Sequence, residues 1–399
     1  MLYGKTILAM NERPLDGVRI LDLSRLLPGP FATLLLSDLG AEVIKVEDAA
    51  CGDPIRAMGP FRAGQGAYFL ALNPGKKSLA LNLKDPRGRE AFLRLAGTAH
   101  VIVEGFRPGT ADRLGVGFEA VHAVNPRLVY CSISGYGLDG PLRDRAGHDL
   151  NYIARAGILG LSGAPGGPAA VPPVQVADLS SGMYAAVAVL AALRESERTG
   201  EGRTIDIGMM DSAMSWLIMT VAEFSAGERG GRGQLHLTGK YPCYHVYRTK
   251  DGYEFALAAL EPKFWADFCR AAGRPDLADL QYSESPEALA EVAAVFAGRS
   301  RDEWAALART GDFCCEPVLT LEEALLDVQA RRRGVVRLVR AGGQTAVELG
   351  NPLRRLAGGE PGPCPEHGEH TAALLRELGY SDAELADLEA AGVIPVRRR

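Results

Sequence analysis

The segment Gly17–Glu47, GVRILDLSRLLPGPFATLLLSDLGAEVIKVE, constrains the fold more than any other part of this 399-residue chain. Val18–Leu23 is a short β-rich apolar run, and Arg25–Pro30 reads as a turn. Phe31–Leu39 then places its leucines at helical spacing, Gly40 stands where a helix stops, and Ala41–Val46 is a second apolar run. Strand, helix and strand in that order predict a βαβ unit, hence a parallel sheet with helices on its faces. Val101–Val103 and Leu128–Ile133, each preceded by a helical segment, extend the same sheet.

Such an opening suggests a dinucleotide fold, and Glu47 sits where a ribose-binding carboxylate would. The first turn, however, carries Pro28-Gly29-Pro30 in place of G-x-G-x-x-G, so its backbone has no closely spaced glycines with which to approach a pyrophosphate. NAD is set aside. Neither G-x-x-x-x-G-K nor G-x-S-x-G occurs, which removes the phosphate loop and the nucleophile elbow as well.

Farther along, Ser180–Arg194 predicts an Ala-rich helix, and Asp211–Phe224 a second one, apolar nearly all round and therefore expected to be buried. Gly227–Gly233 (GERGGRG) reads as a linker. Beyond it the pattern changes to a hairpin, Tyr244–Arg248 and Tyr253–Ala258 around Lys250-Asp251-Gly252, followed by helices over Pro262–Ala272, Glu287–Ala297 and Arg301–Arg309. This predicts a separate, smaller α+β domain. The tail from Val335 reads as a Pro/Gly loop and a last helix, Thr371–Leu378.

Charge excludes some partners. With 44 basic against 49 acidic residues the net charge is −5, so nucleic acid or an anionic membrane surface is not an expected partner, and an anionic ligand needs a local basic patch. Seven scattered cysteines without a C-x-x-C pair suit reduced thiols in the cytoplasm. Met1–Glu12 has too short an apolar core for a signal peptide, and the longest apolar stretch, Tyr184–Leu193, falls short of the roughly 20 residues of a membrane helix.

Three clusters can carry chemistry. In RAGHDLNY, His148 follows Gly147 in a loop that opens a helix, a place from which an imidazole can move protons near neutrality; the competing reading is a surface loop in which Asp149 caps the helix that follows it. In VADLSSG, Asp178 stands at the start of the Ala-rich helix, where it reads first as an N-cap and second as a carboxylate beside amides that can stabilise an oxyanion. In ALEPKFW, Glu261 precedes a Pro at the first helical position, an ordinary cap arrangement. Arg56, Lys76 with Lys77, Arg107 and Arg113 are the candidate anion ligands, each also readable as a solvated surface charge. Cys364, His367 and His370 invite a metal reading, but Pro365 and Gly368 break the spacing and no fourth ligand is evident, so no metal is expected.

In their order along the chain these motifs resemble the class III CoA-transferase family, and within it the α-methylacyl-CoA racemase branch. Gly17–Glu47, VEGFRPGTADRLG, SGYGLDG, GHDLNY, VADLSSG, TGEGRTID, YPCYHVYRTKDG, ALEPKFW and the tail GEHTAALLRELGY carry the resemblance over nearly the whole chain. It implies a large Rossmann-like domain built from both chain ends (13–225 and 333–399), a linker (226–240), a small α+β domain (241–332) and an interlocked homodimer. It implies an acyl-CoA substrate and no cofactor beyond that CoA. His148 and Asp178 match the racemase base pair, Glu261 the carboxylate that pairs with the His, and Arg107 and Arg113 the segment that holds CoA phosphates; Arg56 and Lys76 complete the expected set. Glu47-Asp48 departs from the family, many of whose members carry a basic or apolar residue there. The expected activity is racemisation at the α-carbon of a 2-methylacyl-CoA. The alternatives are a CoA-transferase with Asp178 as nucleophile, and a catalytically silent acyl-CoA-binding protein.

Overall fold

The computed structural model describes residues 13–341, 344–358 and 360–396. The chain divides into two compact units. The first comprises the chain up to Ala156, Val174–Ser215 and everything from Arg333 onward; the second comprises Gly157–Pro173 and Trp216–Arg332. The division therefore differs from the expected domains at two places: Gly157–Pro173 joins the smaller unit, and the crossing falls at Ser215–Trp216 rather than at the glycine-rich segment.

The first unit is built on six parallel strands, β1 (Arg19–Leu23), β2 (Glu42–Glu47), β3 (Lys77–Ala80), β4 (Val101–Glu104), β5 (Val129–Ser134) and β6 (Thr204–Gly208). Their spatial order is β3-β2-β1-β4-β5-β6. This is the doubly wound order, in which successive strands run outward from β1 to one edge and then from β4 to the other. The crevice between the carboxyl ends of β1 and β4 is the place where such sheets bind ligands.

Both sheet faces are covered, which is why the strands are apolar without a break. Leu21, Leu23, Ile44, Val46 and Ile102 point to one face, where Phe92 and Leu95 of helix Pro86–Ala96 meet Leu374, Leu375, Leu385 and Leu388 from the chain's far end. Ile20, Val43, Val101, Val129 and Ile133 point to the other. There they pack on helix α1 (Pro28–Asp38) through Ala32, Leu35 and Leu36, and on helix α4 (Val176–Thr199) through Ala185, Ala186, Val189 and Leu193. Two of the helices between them in sequence are α2 (Pro86–Ala96) and α3 (Asp149–Arg155). Helix α1 starts at Pro28 rather than at Phe31, because a proline at the first helical position has no N–H to leave unsatisfied.

Helix α4 corrects the reading of Tyr184–Leu193 as too short to matter to a bilayer. It is 24 residues long and contains an 18-residue window of mean hydropathy 1.7, long and apolar enough to span one by length and composition. In this fold half of that window is buried. Gly182 lets α4 approach α1: a Cβ there would stand 2.7 Å from the Pro28 carbonyl and 2.9 Å from the Phe31 ring.

The second unit holds a three-stranded antiparallel sheet of β7 (Tyr244–Arg248), β8 (Glu254–Ala258) and β9 (Cys315–Pro317), with β8 central. The expected hairpin turn is present, with Gly252 at φ +84°, and the three expected helices are Pro262–Ala272, Pro286–Ala297 and Arg301–Ala308. Its core is aromatic. Phe296 stacks on Tyr247 at 4.8 Å and meets Trp304 at 4.4 Å, while the indole N–H groups of Trp265 and Trp304 donate to the Ala278 and Phe296 carbonyls.

Two expectations fail here. Asp211–Phe224 is not one buried helix but two, Met209–Ser215 and Ile218–Ser225, one in each unit. In and just before the second, Trp216, Ile218, Met219, Val221 and Phe224 are all more than half exposed. An all-round apolar surface does not specify burial within one's own chain. The tail is also more regular than a Pro/Gly loop: Val336–Ala341 and Gln344–Leu349 pair antiparallel, and two helices, Thr371–Glu377 and Asp382–Ala390, close the described chain.

Candidate active site

His148 and Asp149 lie between β5 and α4 on the carboxyl side of the sheet, and their placement depends on Tyr152. At both Gly135, just past β5, and Gly147, a Cβ would come within 2.7 Å of the Tyr152 ring, so only glycine admits that ring between the two loops. The Tyr152 hydroxyl donates to the Gly147 carbonyl at 2.6 Å, and Tyr136 packs edge-on against the ring at 5.1 Å. His148 is thereby fixed in extended backbone one residue before α3, exposed to solvent. Its N–H donates to the Asn151 side chain at 3.0 Å.

Asp149 does not cap the helix it opens. Its Oδ1 accepts from the N–H of Ala177 at 2.7 Å and from the N–H of Asp178 at 3.2 Å, the second and third residues of α4. It therefore caps α4 from another helix, replacing Gln175, whose side chain makes no capping bond. Two expectations change with this observation. Asp178 is not an N-cap but the third helical residue, so its carboxylate is not spent on the helix end. The Ala177 and Asp178 amides expected to serve an oxyanion already serve Asp149.

The electrostatics of Asp178 follow. Burial pushes its carboxyl up to about 7, and the neighbouring negative charge of Asp149 adds to the effect. Burial likewise pushes the Tyr152 hydroxyl up to about 12, with Asp178 and Tyr136 contributing and Arg107 opposing. Asp178, Asp149, Tyr152 and Arg107 thus share one electrostatic neighbourhood. A carboxyl that is half ionised near neutrality can take a proton or return one, which an ordinary surface Asp cannot do at pH 7. Asp149, which caps α4 beside Asp178, is the neighbour that sequence reasoning misses. Its one local signal is its position directly after His148, but its partner lies 28 residues away.

The candidate anion ligands separate into two kinds. Lys76 is 2% exposed, and its ammonium reaches Thr33 Oγ1 at 2.7 Å, the Pro30 carbonyl at 3.0 Å and Asp22 Oδ2 at 3.1 Å. No hydrogen is left for a phosphate. Beside it Lys45 pairs with Asp53 at 2.9 Å, also fully buried. Arg56 forks onto Glu47 at 2.7 and 2.8 Å, donates to the Pro365 carbonyl at 3.1 Å and lies 3.6 Å over the Phe69 ring. Both cations expected to hold phosphate are therefore committed to the core. Glu47 is committed too: it accepts from Arg56, from Ser78 Oγ at 2.6 Å and from the Asp53 N–H at 3.0 Å, which accounts for an acid at the family's basic or apolar position.

Arg107 and Arg113 remain exposed, just past β4, and Arg113 donates to Thr110 at 2.8 Å. Arg25, just past β1, lies 5.6 Å from the Phe106 ring centroid, so a cation from each side lines the β1/β4 crevice. Glu261 belongs to the second unit, where it is exposed and immediately precedes helix Pro262–Ala272 without a side-chain capping bond. His367 meets the Asp48 carbonyl at 2.9 Å, while His370 Nδ1 accepts from the Ser78 N–H at 3.2 Å, so these histidines fasten the returning chain to the sheet.

Comparison with known proteins adds the following. The pattern of CoA-transferase family III matches residues 15–371. Succinyl-CoA:glutarate CoA-transferase of Mus musculus is 34% identical over 397 residues, spanning 96% of this chain and 91% of that protein. Alpha-methylacyl-CoA racemase of Homo sapiens is 34% identical over 388 residues, spanning 95% of this chain and 97% of that protein. Among solved structures, Rv3272 from M. tuberculosis superposes with a TM-score of 0.79 at 32% identity, covering 91% of this chain and 99% of that one.

Proposed function

We propose that this chain, which belongs to CoA-transferase family III, catalyses 1,1-proton transfer at the α-carbon of a 2-methylacyl-CoA thioester. The observation that carries the reading is Asp178: a carboxyl pushed up to about 7 beside Asp149, the residue that directly follows His148. In the forward direction the α C–H bond breaks and its proton passes to one of the pair, His148 or Asp178. The C–H electron pair moves onto the thioester oxygen as an enolate, and the other residue delivers a proton to the opposite face. The two residues then hold each other's starting protonation state, and the reverse turnover restores it. Such exchange needs two groups that titrate near the working pH.

Glu261 is kept as the third proposed catalytic residue, Arg107 and Arg113 are proposed to hold the CoA moiety, and no cofactor beyond that CoA is invoked. The enzyme is proposed to work as a cytoplasmic homodimer. The exposed apolar side chains of Trp216, Ile218, Met219, Val221 and Phe224 in the second unit support a protein partner surface.

The competing reading is CoA transfer between an acyl-CoA and a carboxylic acid with Asp178 as nucleophile, favoured by the likeness to the mouse transferase. A nucleophile is best kept ionised, and a carboxyl near 7 is half protonated at neutrality. The experiment that separates the two is turnover of His148→Ala. Racemisation requires that it collapse while CoA transfer to an added dicarboxylate stays absent in wild type and variant alike. A hydroxylamine-sensitive acyl adduct on Asp178, formed only with an acceptor acid, would establish the transferase instead.

A further inference from the structure

Three side-chain hydrogen bonds in the second unit converge on the two carbonyls that directly precede Glu261. Gln281 Nε2 donates to the Ala259 carbonyl at 3.1 Å and to the Leu260 carbonyl at 2.9 Å, and the Tyr282 hydroxyl donates to that same Leu260 carbonyl. On the other side Glu261 is fixed through its own carbonyl. That oxygen accepts from the Phe264 N–H at 3.0 Å and the Trp265 N–H at 3.2 Å as helix Pro262–Ala272 begins.

The brace is itself held. The Trp265 indole donates to the Leu277 and Ala278 carbonyls at 3.2 and 3.0 Å, which ties the turn Pro275–Leu280, just before Gln281, to the helix that Glu261 opens. The Tyr282 ring stacks on His236 at 5.9 Å and meets Tyr241 edge-on at 5.4 Å.

The carboxylate that this frame presents is uncommitted. Glu261 is exposed, and among the described residues its side chain accepts no hydrogen bond and forms no ion pair. Other acids near helix starts in this unit serve the fold: Glu303 accepts from the Ser300 N–H at 2.7 Å, and Glu323 from both Arg301 Nη atoms at 2.6 and 3.0 Å. A backbone locked on both sides beneath an unpaired carboxylate suits a group that must meet a substrate at a set place. A misplacement of roughly 1 Å can cost on the order of 10²-fold in rate.

We propose that Gln281 and Tyr282 are positioning residues for Glu261, holding the Ala259-Leu260 peptides so that the carboxylate keeps one place. Neither acts on the substrate itself. The proposal rests on the reading above in which Glu261 is the third catalytic residue.

The test is a double-mutant cycle on α-proton exchange of a 2-methylacyl-CoA in D2O, with the full-length wild type, Glu261→Gln, Gln281→Met and the double variant. Met fills much of the space of Gln without its N–H donors. Tyr282→Phe, which removes only a hydroxyl, is measured beside them and replaces Gln281→Met in the cycle if that variant does not fold. Positioning requires that Gln281→Met lower kcat at least tenfold with KM within twofold of wild type, and that Tyr282→Phe lower kcat in the same way. It also requires that the double variant be no slower than Glu261→Gln alone, whereas a merely structural role makes the two losses multiply. Multiplied losses, or a wild-type kcat in folded Gln281→Met while Glu261→Gln is slow, overturn the positioning and leave the role of Glu261 standing. A wild-type kcat in Glu261→Gln overturns that role and the positioning with it. A wild type that exchanges no α-proton overturns the racemase reading on which both rest.

Discussion

Replacing Asp149 by Asn removes one negative charge next to Asp178 and little else. The amide oxygen of the new side chain can still accept from the Ala177 and Asp178 N–H groups, now 2.7 and 3.2 Å from Asp149 Oδ1, so the cap on α4 is retained. Asp178 is pushed up first by burial and second by Asp149, from an ordinary 3.8 to about 7. Burial stays, so the substitution removes the smaller part, less than half of the distance from 3.8 to about 7. In the direction in which Asp178 takes the α-proton, kcat/KM follows its ionised fraction and rises with pH through about 7. Asp149→Asn is expected to move that rise toward acid by that smaller part, leaving it above the ordinary Asp range. Asp149→Ala loses charge and cap together, and so adds a stability loss of about 1 kcal/mol that the Asn variant lacks. The assay is the pH profile of α-proton exchange, on the acid and alkaline sides of neutrality, for each enantiomer of the thioester. A profile unmoved in both directions, with folded protein throughout, would refute the electrostatic link between the two carboxyls.

Two further outcomes follow from the same groups. Asp178→Asn should stabilise the fold in alkali and not in acid. The folded carboxyl holds its proton to about 7 while the unfolded one lets go near its ordinary 3.8, so ionisation costs the fold as pH rises through this window. The gain is expected to be absent near the unfolded value and on the order of 4 kcal/mol above the folded one by urea unfolding; a gain independent of pH would contradict it. Lys76→Met should cost ~3–5 kcal/mol in urea unfolding, because buried Asp22 loses the cation that hydrogen-bonds it and keeps only the nearby charge of Lys45, while the folded fraction still binds CoA. Normal stability with lost CoA affinity would return Lys76 to the phosphate site.

The parts of the fold that are legible in the sequence share one physical cause. β1, α1 and β2 are adjacent in the chain, and strands covered on both faces need unbroken apolar runs, so Val18–Val46 announces its own architecture. The errors arise where a residue's partner is distant. Lys76 and Arg56 look like free cations because their carboxylates, Asp22 and Glu47, are joined to them only by the sheet. Asp178 looks like a cap because an Asp near a helix start usually is one; that Asp149 holds the post is a fact of tertiary structure. The apolar surface of Ile218–Ser225 reads as core, because nothing local distinguishes a core helix from one whose apolar side chains stay exposed. His148 is legible through the motif order that the family resemblance supplies, not through its own surroundings.

The central claim is that His148 and Asp178 exchange an α-proton rather than move CoA. The most direct measurement is proton NMR of the wild-type enzyme with (2R)-2-methylacyl-CoA in D2O and no acceptor acid. The account predicts loss of the α-proton signal together with appearance of the (2S) thioester. Full retention of the α-proton over hours on short and long acyl chains, with the thioester bound, would contradict it.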